Sequence, residues 1–436
     1  MKAAKTLVLL TAGAMALSMA GCGASGSGSD AGSSSTAPSA AADDAAATSE
    51  QADVKPGQKG SIEFWTVFTG ADGSSMQAMV DAYNATNPDY TVNHRAMEAN
   101  DLYLKLPLAI QSGEDVPDIA ISHIERLGLF QENGLLTDYT PLLANSSIKK
   151  ENYLQTAWEM SDLNDGHYGI PLDVHSFVTY VNMDLYEKYG NGALDDGLLT
   201  WDDIYAAGEA TKADGIIDVG IGWYRANWLS SYAQLGGTLS EDGTEPSFAN
   251  DTGVQVLNKW KEFYDAGYTS KEGDDPWAMF TGGQMLYCPE GIWMRNQAEE
   301  AQMNYKMVEY PAWDKDHRGG WTSSHQFILP KNDERTDEQT QAALDFINFI
   351  GENSLEWAKA GQRPAHLSIN DVAEFKDMPQ SFITDDYLLM YDYKYYGYAT
   401  ESLDKVYPEI FLERMDPMDG LTQAEQETRD RISTEG

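Results

Sequence analysis

Cysteine is nearly absent from this chain: only Cys22 and Cys288 occur among its 436 residues. Two cysteines cannot build the disulfide framework that stabilises many small secreted domains, and they also exclude a zinc site made of several thiolates. A chain of this length has room for two domains that are stabilised by their own hydrophobic cores. The sequence therefore predicts a globular body whose stability comes from core burial.

Positive charge is also scarce. The chain has 29 lysines and arginines against 69 aspartates and glutamates, which gives a formal net charge of −40 at pH 7. Such a surface repels the phosphate backbone of nucleic acids and anionic lipid headgroups. We therefore expect no nucleic-acid partner. An uncharged ligand suits this surface, and a cationic solute such as a polyamine is the alternative.

Long hydrophobic runs are missing beyond the N-terminus. No later segment reaches the roughly 18–20 apolar residues that a transmembrane helix needs. The first residues, in contrast, carry two lysines, an apolar stretch from Thr6 to Leu17, and small residues before Cys22. Residues 1–21 thus have the layout of a secretory signal peptide.

The residues around Cys22 resemble a bacterial lipobox, which implies that this cysteine is acylated and becomes the mature N-terminus. A plain signal peptide followed by a chance cysteine is the alternative. Residues 22–57 contain no aromatic residue and are rich in Gly, Ser, Ala and Asp, so they cannot bury enough apolar surface to offset chain entropy. We predict a flexible tether over residues 22–57 and a lipid anchor on the extracellular face of a bacterial cell membrane.

Strand and helix patterns alternate at the start of the folded body. Strands are predicted at Ser61–Phe68, Tyr90–Asn93 and Asp118–Ser122. Helices are predicted at Ser74–Asn84 and Leu102–Gln111, where apolar residues recur at helical spacing. This alternation predicts an α/β domain with a largely parallel sheet.

Later segments continue the pattern. Asn164–Gly166 is a hairpin signal, and Val174–Asn182 is a long extended run. Thr200 is positioned to cap a helix, and further helices are predicted at Val254–Asp265 and Glu338–Ile350.

Several short segments occur in an order that resembles one protein family. They are Val116–Ile119, Glu132–Gly134, Asp165–Pro171, Tyr180–Tyr186, Thr200–Trp201, Phe280–Met285, Gly291–Trp293, Gly319–Trp321 and Gln362–Ala365. The ordered set, behind a lipobox and a tether, is similar to that of the extracellular solute-binding proteins of carbohydrate ABC importers, the group that includes maltose-binding protein. The resemblance covers about residues 60–370.

The resemblance implies a two-lobed α/β fold of the periplasmic-binding-protein type II class, in which each lobe is a central sheet flanked by helices. Lobe 1 would comprise residues 58–172 and 284–320. Lobe 2 would comprise residues 176–283 and 324–436.

The resemblance also implies hinge crossings near Asp173–His175, Gly282–Gln284 and Thr322–His325, and closure of the lobes on a ligand. It implies an oligosaccharide as the ligand and ABC permease subunits as partners. We therefore expect a monomer that binds without catalysis and without a cofactor.

A sugar has apolar C–H faces and a rim of hydroxyls, so its site needs aromatic rings and hydrogen-bonding groups. The first strand ends near Trp65, Phe68 and Thr69, where an open α/β sheet presents its ligand crevice. We predict ligand contacts from these residues, with core packing as the alternative for Trp65.

The third strand ends at Ser122, followed by His123, Glu125 and Arg126. The resemblance implies polar sugar contacts here, including an acid–arginine pair. A surface ion pair is the alternative for Glu125 and Arg126, and a plain helix start is the alternative for His123.

Asp173 and His175 follow the Gly-Ile-Pro motif and share one face of a strand. The resemblance implies a hydrogen-bonding acid about here, so both are predicted contacts.

A cluster of aromatic and amide residues follows a predicted strand that ends at Gly222. It consists of Trp223, Tyr224, Asn227 and Trp228. We predict a stacking platform for the ligand here, with core packing of the tryptophans as the alternative.

The remaining predicted contacts lie after the later motifs. They are Glu290, Trp293, Arg295, Trp321, Gln362 and Arg363. For Gln362 and Arg363, helix capping is the alternative. The tyrosine-rich stretch from Asp386 to Tyr398 is predicted to pack the helices of lobe 2, with lining of the cleft as the alternative.

Two other functional classes are alternatives to sugar binding. A secreted glycoside hydrolase needs two carboxylates across the scissile bond, but 69 acidic residues make any such pair uninformative. A metal-binding protein needs converging histidines and carboxylates, and the seven histidines are scattered without HxH or HxxxH spacing. We therefore predict no metal site.

Overall fold

The computed structural model describes residues 58–164 and 166–435. The predicted signal peptide at 1–21, the predicted tether at 22–57 and Cys22 therefore lie outside the described residues. None of the helices in the described ranges has both the length and the apolar character that a membrane span requires.

Strands and helices alternate along the described chain. The strands are β1 (Gly60–Thr66), β2 (Tyr90–Ala96), β3 (Ile119–His123), β4 (Asp162–Leu163), β5 (Gly166–His167), β6 (Ile170–Pro171), β7 (Asp173–Asn182), β8 (Ile217–Val219), β9 (Met285–Gly291), β10 (Tyr305–Glu309), β11 (Gly320–Ser323), β12 (His325–Ile328), β13 (Arg363–Pro364) and β14 (Leu388–Leu389). The helices are α1 (Ala71–Ala85), α2 (Ala99–Ser112), α3 (Leu127–Glu132), α4 (Thr140–Leu143), α5 (Gln155–Glu159), α6 (Met183–Tyr189), α7 (Trp201–Ala213), α8 (Tyr224–Gln234), α9 (Asp251–Ala266), α10 (Pro276–Thr281), α11 (Arg295–Glu300), α12 (Asp337–Glu352), α13 (Leu355–Lys359), α14 (Ala373–Lys376), α15 (Tyr396–Phe411) and α16 (Pro417–Glu435).

The sheet of lobe 1 has the strand order β2-β1-β3-β12-β6. β1 is parallel to β2 and β3, whereas β12 is antiparallel to β3 and β6. Helix α12 covers this sheet, and its Phe346 ring lies edge-on to Phe64 at a centroid distance of 5.3 Å. The carboxyl ends of β1 and β3 lie at the same edge, as parallel pairing requires.

The sheet of lobe 2 is built around β7, whose ten residues are all buried. The strand order is β14-β11-β7-β9-β8, and β10 and β13 pair with other parts of β7. Helices α8, α9, α15 and α16 pack into one layer, and their apolar residues join the core of this lobe. Because the strand is buried along its whole length, its polar residues, which include Asp173, His175 and Ser176, need hydrogen-bond partners inside the protein.

The chain passes between the two sheets at three places. β6 ends at Pro171 in the first sheet and β7 begins at Asp173 in the second, and β11 and β12 are joined in the same way at Ser324. The third passage leads from α13, which contacts α1, to β13 in the second sheet. The predicted crossing at Gly282–Gln284 is wrong, because this segment joins α10 to β9 within lobe 2.

The structure also corrects the predicted lobe boundaries. Residues 284–320 do not belong to lobe 1, since β9 and β10 pair with β7 in the second sheet. Conversely, β12 and α12 lie within the segment 324–436 that was assigned to lobe 2, yet they form part of lobe 1. Apolar patterns identify a strand, but its position is set by backbone pairing with distant residues, which the patterns do not reveal.

Local predictions agree better with the structure. The predicted helices at Ser74–Asn84 and Leu102–Gln111 lie inside α1 and α2, and the hairpin signal lies between β4 and β5. Thr200 caps α7 through a reciprocal capping box with Asp203. These features depend on neighbouring residues, so the local sequence is sufficient to predict them.

Asp218 in β8 is completely buried in lobe 2, and its carboxylate oxygens lack a hydrogen bond of ordinary geometry, because the nearby Thr211 hydroxyl donates to the carbonyls of Ala207 and Gly208. Burial raises its pKa to about 8. Between about pH 4 and pH 8 the folded protein therefore keeps a proton that the unfolded chain has lost, so stability falls as the pH rises.

We predict that Asp218→Asn stabilises the protein, by an amount that grows by roughly 1 kcal/mol per pH unit between pH 5 and pH 7. Asparagine cannot ionise, so the variant does not lose stability from the ionisation of a buried carboxyl as the pH rises. Urea unfolding at several pH values measures the effect. Asp371→Asn, at an exposed aspartate, is the control and should change the free energy of unfolding by no more than about 0.5 kcal/mol. A constant difference for Asp218→Asn would contradict the prediction.

Candidate ligand-binding cleft

A cavity of about 710 Å³ opens between the two lobes. Lobe 1 contributes Val67, Phe68, Asp72, Ala99, Asn100, Tyr103, His123, Glu125, Arg126 and His325. Lobe 2 contributes His175, Trp223, Arg225, Trp293, Trp321, Gln362, Tyr396, Gly397, Thr400 and Glu401. A volume of this size accommodates a small organic ligand.

Three tryptophans form much of the lobe 2 wall. The ring of Trp293 lies 5.8 Å from that of Trp223 and 6.4 Å from that of Phe177, measured between centroids. The ring of Trp321 lies 6.5 Å from that of Phe177 and donates its Nε1–H to the Tyr396 hydroxyl at 2.9 Å. The sheet beneath therefore supports two of the rings and fixes their orientation.

The backbone at positions 291 and 223 adapts to these rings. A Cβ atom on Gly291 would lie 2.2 Å from ring atoms of Trp293, so glycine is required for the ring to fold back over its own strand. Trp223 has a φ of +40° and is 56% exposed. A left-handed conformation and an exposed large ring both cost free energy, and such costs concentrate at ligand sites.

The lobe 1 wall combines aromatic and charged groups. Phe68 packs edge-on against the His325 ring at 4.9 Å and is backed by Trp357 at 4.6 Å. The Arg126 guanidinium lies 5.0 Å from the centre of the Tyr103 ring, which is a cation–π distance. The arginine is thereby held at the cavity surface.

Ion pairs connect the lobes beside the cavity. Arg126 Nη2 lies 3.3 Å from Glu401 Oε1, and Glu132 pairs with Lys394. All four side chains are partly exposed, so each pair contributes only about 0–1 kcal/mol. The two pairs favour the observed distance between the lobes, but they are too weak to prevent the lobes from moving apart.

Two oxygen acceptors of the lining are buried without a hydrogen-bond donor among the described residues. They are Oε2 of Glu125 and Oε1 of Gln362. A buried acceptor without a donor costs roughly 1–3 kcal/mol. A ligand that donates hydrogen bonds would remove this cost.

Three histidines from three strands meet in the cavity lining. His123 ends β3, His175 lies near the start of β7, and His325 begins β12. The His325 ring lies 4.3 Å from the His175 ring and 4.7 Å from the His123 ring. Although these histidines are far apart in sequence, strand pairing places His123 directly opposite His325.

Asp173 lies behind two of these rings and is fully buried. Its carboxylate is 2.9 Å from His325 Nδ1 and 3.3 Å from His175 Nδ1, and it accepts a bond of 2.7 Å from Trp357 Nε1. Burial acts to raise the pKa of Asp173, but the His325 charge and the hydrogen bonds from both histidines hold it well below its ordinary value.

The histidines themselves differ in basicity. Burial, together with the charges of the other two rings, lowers the pKa of His123 well below its ordinary value. Burial also lowers the pKa of His175, and His325 adds to this effect. For His325, burial acts in the same direction, but the charge and hydrogen bond of Asp173 outweigh it and raise the pKa.

Many of the residues predicted from the sequence line the cavity. They are Phe68, His123, Glu125, Arg126, His175, Trp223, Trp293, Trp321 and Gln362. Whether each contacts a ligand stays a prediction, but the structure brings them together around one space.

Two predicted tryptophans lie in the cores instead. Trp65 is 5% exposed and belongs to a core cluster of lobe 1. Trp228 is fully buried, stacks on Tyr232 at 4.2 Å and donates to the Gly253 carbonyl. In both positions the core alternative applies, because the strand or helix turns these side chains away from the cleft.

Asp173, Ser122 and Thr69 are also outside the lining. Asp173 holds the histidines from behind, as described above. The Ser122 hydroxyl is buried and donates to the His123 carbonyl at 3.1 Å. Thr69 is exposed, but it does not line the cavity.

Two predicted contacts on α8 have structural roles. The Asn227 amide donates to the Gly222 carbonyl at 2.5 Å, and its oxygen accepts from the Tyr310 hydroxyl. Tyr224 packs on Phe411 with a centroid distance of 5.1 Å. Both side chains fasten the helix to the rest of lobe 2.

The last three predicted contacts also point elsewhere. Glu290 accepts from the Gly291 N–H at 2.8 Å, and burial raises its pKa to about 8. Arg295 pairs with Glu299 at 2.7 Å. Arg363 is 1% exposed, and its guanidinium donates to backbone and side-chain oxygens within lobe 2.

The sequence did not single out several lining residues. Arg225 lies inside the predicted aromatic cluster, and His325 lies at a predicted crossing, so a local signal existed for both. Tyr396 belongs to the tyrosine-rich stretch, which does pack lobe 2 as predicted but also reaches the cleft. Tyr103 and Glu401 lie on helices without any such signal.

Comparison with known proteins identifies the family. The family model for bacterial extracellular solute-binding proteins matches residues 78–383, which is more than half of the chain. A relative named arabinooligosaccharide-binding protein from Bacillus subtilis is 26% identical over 227 residues, covering 50% of each chain. A maltooligosaccharide ABC transporter solute-binding lipoprotein from Streptococcus pneumoniae is 23% identical over 290 residues, covering 63% of this chain and 65% of its own.

Solved structures share the fold. An ABC substrate-binding protein from Listeria monocytogenes, in complex with cycloalternan, has a TM-score of 0.70 at 18% identity and covers 86% of this chain and all of its own. UgpB from Mycobacterium tuberculosis, in complex with glycerophosphocholine, has a TM-score of 0.73 at 17% identity and covers 86% of this chain and 98% of its own. The two-lobed α/β fold predicted from the sequence is thus confirmed. The chain belongs to the bacterial extracellular solute-binding proteins, a family of binding proteins and not of enzymes.

Proposed function

We propose that this protein captures an oligosaccharide between its lobes and delivers it unchanged to an ABC importer. The observation that carries the proposal is the cleft itself, where three tryptophans face a wall of hydrogen-bonding groups. Relatives named for arabinooligosaccharide and maltooligosaccharide binding support the same ligand class.

The aromatic wall suits the apolar faces of sugar rings. Trp223, Trp293 and Trp321 offer flat surfaces that can cover C–H groups, and burial of apolar area contributes roughly 25 cal/mol per Å². The wall holds three separate rings, with 5.8 Å between the Trp223 and Trp293 centroids, so it offers more stacking surface than one sugar unit needs. This arrangement favours an oligosaccharide over a monosaccharide.

The polar groups of the lining suit sugar hydroxyls. Glu125 and Gln362 each offer a buried acceptor oxygen that lacks a donor among the described residues, and a hydroxyl supplies the missing donor. Arg126 and Arg225 add donors on the same lining. Acids and arginines occur together in the cleft, which favours a neutral ligand over a polyamine.

The cellular setting follows from the N-terminus and from the family. Cys22 would carry the lipid anchor after removal of residues 1–21, and residues 22–57 would act as the tether. The permease and the ATPase are separate subunits of the importer. A monomer suffices, because both walls of the cleft come from one chain.

A thermal-shift screen tests the proposal. The panel contains maltooligosaccharides, arabinooligosaccharides, spermidine and glycerophosphocholine. We expect a neutral oligosaccharide to raise the unfolding midpoint, since a ligand at a hundred times its Kd stabilises the folded state by about 2.7 kcal/mol.

Chromatography of the recovered sugar is the second readout and should return the intact oligosaccharide. A shift with spermidine or glycerophosphocholine and none with any sugar would contradict the proposed ligand class. Shortened sugar products would contradict the transport role.

A further inference from the structure

The three histidines of the cleft form a cluster that oligosaccharide binding does not explain. One ring nitrogen from each of His123, His175 and His325 lies within 4.8 Å of one from each of the other two. Bonds of about 2.0–2.1 Å to a single ion require these nitrogens to come closer together than 4.8 Å, so metal binding would have to rotate the rings. Each histidine sits at or near the end of a paired strand, so the backbone beneath the cluster is fixed.

The hydrogen bonds recorded for these rings all involve Nδ1. His175 and His325 direct Nδ1 to Asp173, and His123 directs Nδ1 to the Tyr103 hydroxyl at 2.5 Å. Within residues 58–164 and 166–435, no residue forms a hydrogen bond with Nε2 of these three rings. The Nε2 atoms are therefore the nitrogens left for a ligand.

Asp173 has the position of an outer-shell carboxylate in metal sites. Metal-binding histidines usually donate their second ring nitrogen to a carboxylate or carbonyl, which orients the ring and leaves the other nitrogen as an acceptor. One buried carboxylate serves two histidines here, and Trp357 fixes that carboxylate from the other side. A plain hydrogen-bonding site for a sugar needs no such support.

We propose that His123, His175 and His325 bind a divalent transition-metal ion of the zinc class at the base of the cleft. Imidazole nitrogens suit Zn²⁺, Co²⁺, Ni²⁺ and Cu²⁺, whereas Mg²⁺ and Ca²⁺ require oxygen ligands. Three protein ligands leave a fourth position open. Because all three histidines line the cavity, that position faces the space where the transported solute would lie.

The ion would connect the two lobes. His123 and His325 belong to the sheet of lobe 1, and His175 belongs to the sheet of lobe 2. Metal binding would therefore stabilise one relative position of the strands at the crossing. This inference does not depend on the identity of the sugar.

Titration of the untagged, chelator-treated full chain with ZnCl₂ alone, in a background of millimolar Mg²⁺, tests the site. We expect one ion per chain by calorimetry and by elemental analysis after dialysis. Co²⁺ in place of Zn²⁺ should give visible absorption bands from a nitrogen-ligated ion. His123→Gln and His175→Gln should each weaken Zn²⁺ binding by at least tenfold and remove the Co²⁺ bands.

His317→Gln is the matched control, because His317 is exposed and lies outside the cleft. It should leave Zn²⁺ affinity and the Co²⁺ spectrum unchanged. Circular dichroism confirms that each variant is folded before titration. The proposal is overturned if the parent protein binds no Zn²⁺, or if the double variant of His123 and His175 keeps the parent's affinity. Because no sugar is present, neither outcome depends on the proposed oligosaccharide ligand.

Discussion

Replacing Asp173 with asparagine should lower the free energy of unfolding by about 3–5 kcal/mol, the usual cost of removing one partner from a buried charged network. The Asp173 carboxylate is fully buried and receives the Trp357 Nε1–H at 2.7 Å and the backbone N–H of His325 at 3.2 Å. An amide nitrogen in place of either oxygen would face a donor instead of accepting from it. Urea unfolding at neutral pH measures the loss.

The position of Asp173 makes this loss relevant to the cleft. The residue begins β7 at a crossing between the lobes, and its side chain contacts groups from β12 and α13 of lobe 1. Its substitution should therefore weaken the connection between the lobes as well as the local core. We expect weaker binding of any cleft ligand, because the histidine rings lose their support.

Trp357→Phe is the companion variant. It keeps an aromatic ring beside Phe68 but removes the single N–H donor, which costs about 1.5–3 kcal/mol for a hydrogen bond to a charged group, and it adds the cost of a cavity because Trp357 is fully buried. If Asp173→Asn were as stable as the parent within 1 kcal/mol, the network would not have the energetic role assigned to it here.

The sequence was sufficient for the fold class and for most local elements. The alternation of apolar patterns identified α1, α2 and β3, and a capping signal at Thr200 marked the start of α7. Each of these features depends on residues that are close in sequence. The two-lobed arrangement came from the order of motifs that resemble one family, and not from periodicity.

Strand partners could not be predicted in the same way. β9 has an apolar run that fits a central strand of either sheet, and only its pairing with β7 and β8 assigns it to lobe 2. The histidine cluster also depends on pairing between strands that are distant in sequence. His123, His175 and His325 are brought together by two crossings and one antiparallel pair, and no spacing in the sequence marks them as neighbours.

The predicted site residues that lie outside the cleft lining are mainly those whose side chain could face either of two directions. Trp223 and Trp228 lie five residues apart in one cluster, yet one is 56% exposed and the other is fully buried. The helix geometry of α8 decides between them, since it turns Trp228 into the core while the residue before the helix stays at the cleft mouth. Composition alone cannot make this distinction.

Truncation of the exposed and half-buried tryptophans should have the largest effect on function. We expect Trp223→Ala and Trp293→Ala each to weaken binding of the oligosaccharide found in the thermal-shift screen by at least tenfold, which equals about 1.4 kcal/mol. Central aromatic residues commonly contribute 2 kcal/mol or more to an interface. Isothermal titration calorimetry with the parent and each variant measures the change in Kd.

Effects of these substitutions on binding can be distinguished from effects on folding by measuring the unfolding midpoint without ligand. Because Trp223 is 56% exposed, its truncation leaves no cavity in the core, so the unfolding midpoint without ligand should stay close to that of the parent. Trp321 is nearly buried and needs the gentler change Trp321→Phe, which removes its hydrogen bond to Tyr396 and tests whether the ring orientation matters. Trp277→Ala is the matched control, since Trp277 lies on α10 outside the cleft, and its Kd should equal that of the parent. If the Trp223 and Trp293 variants bind as tightly as this control, the sugar does not stack on the lobe 2 wall and the aromatic basis of the proposed function is wrong.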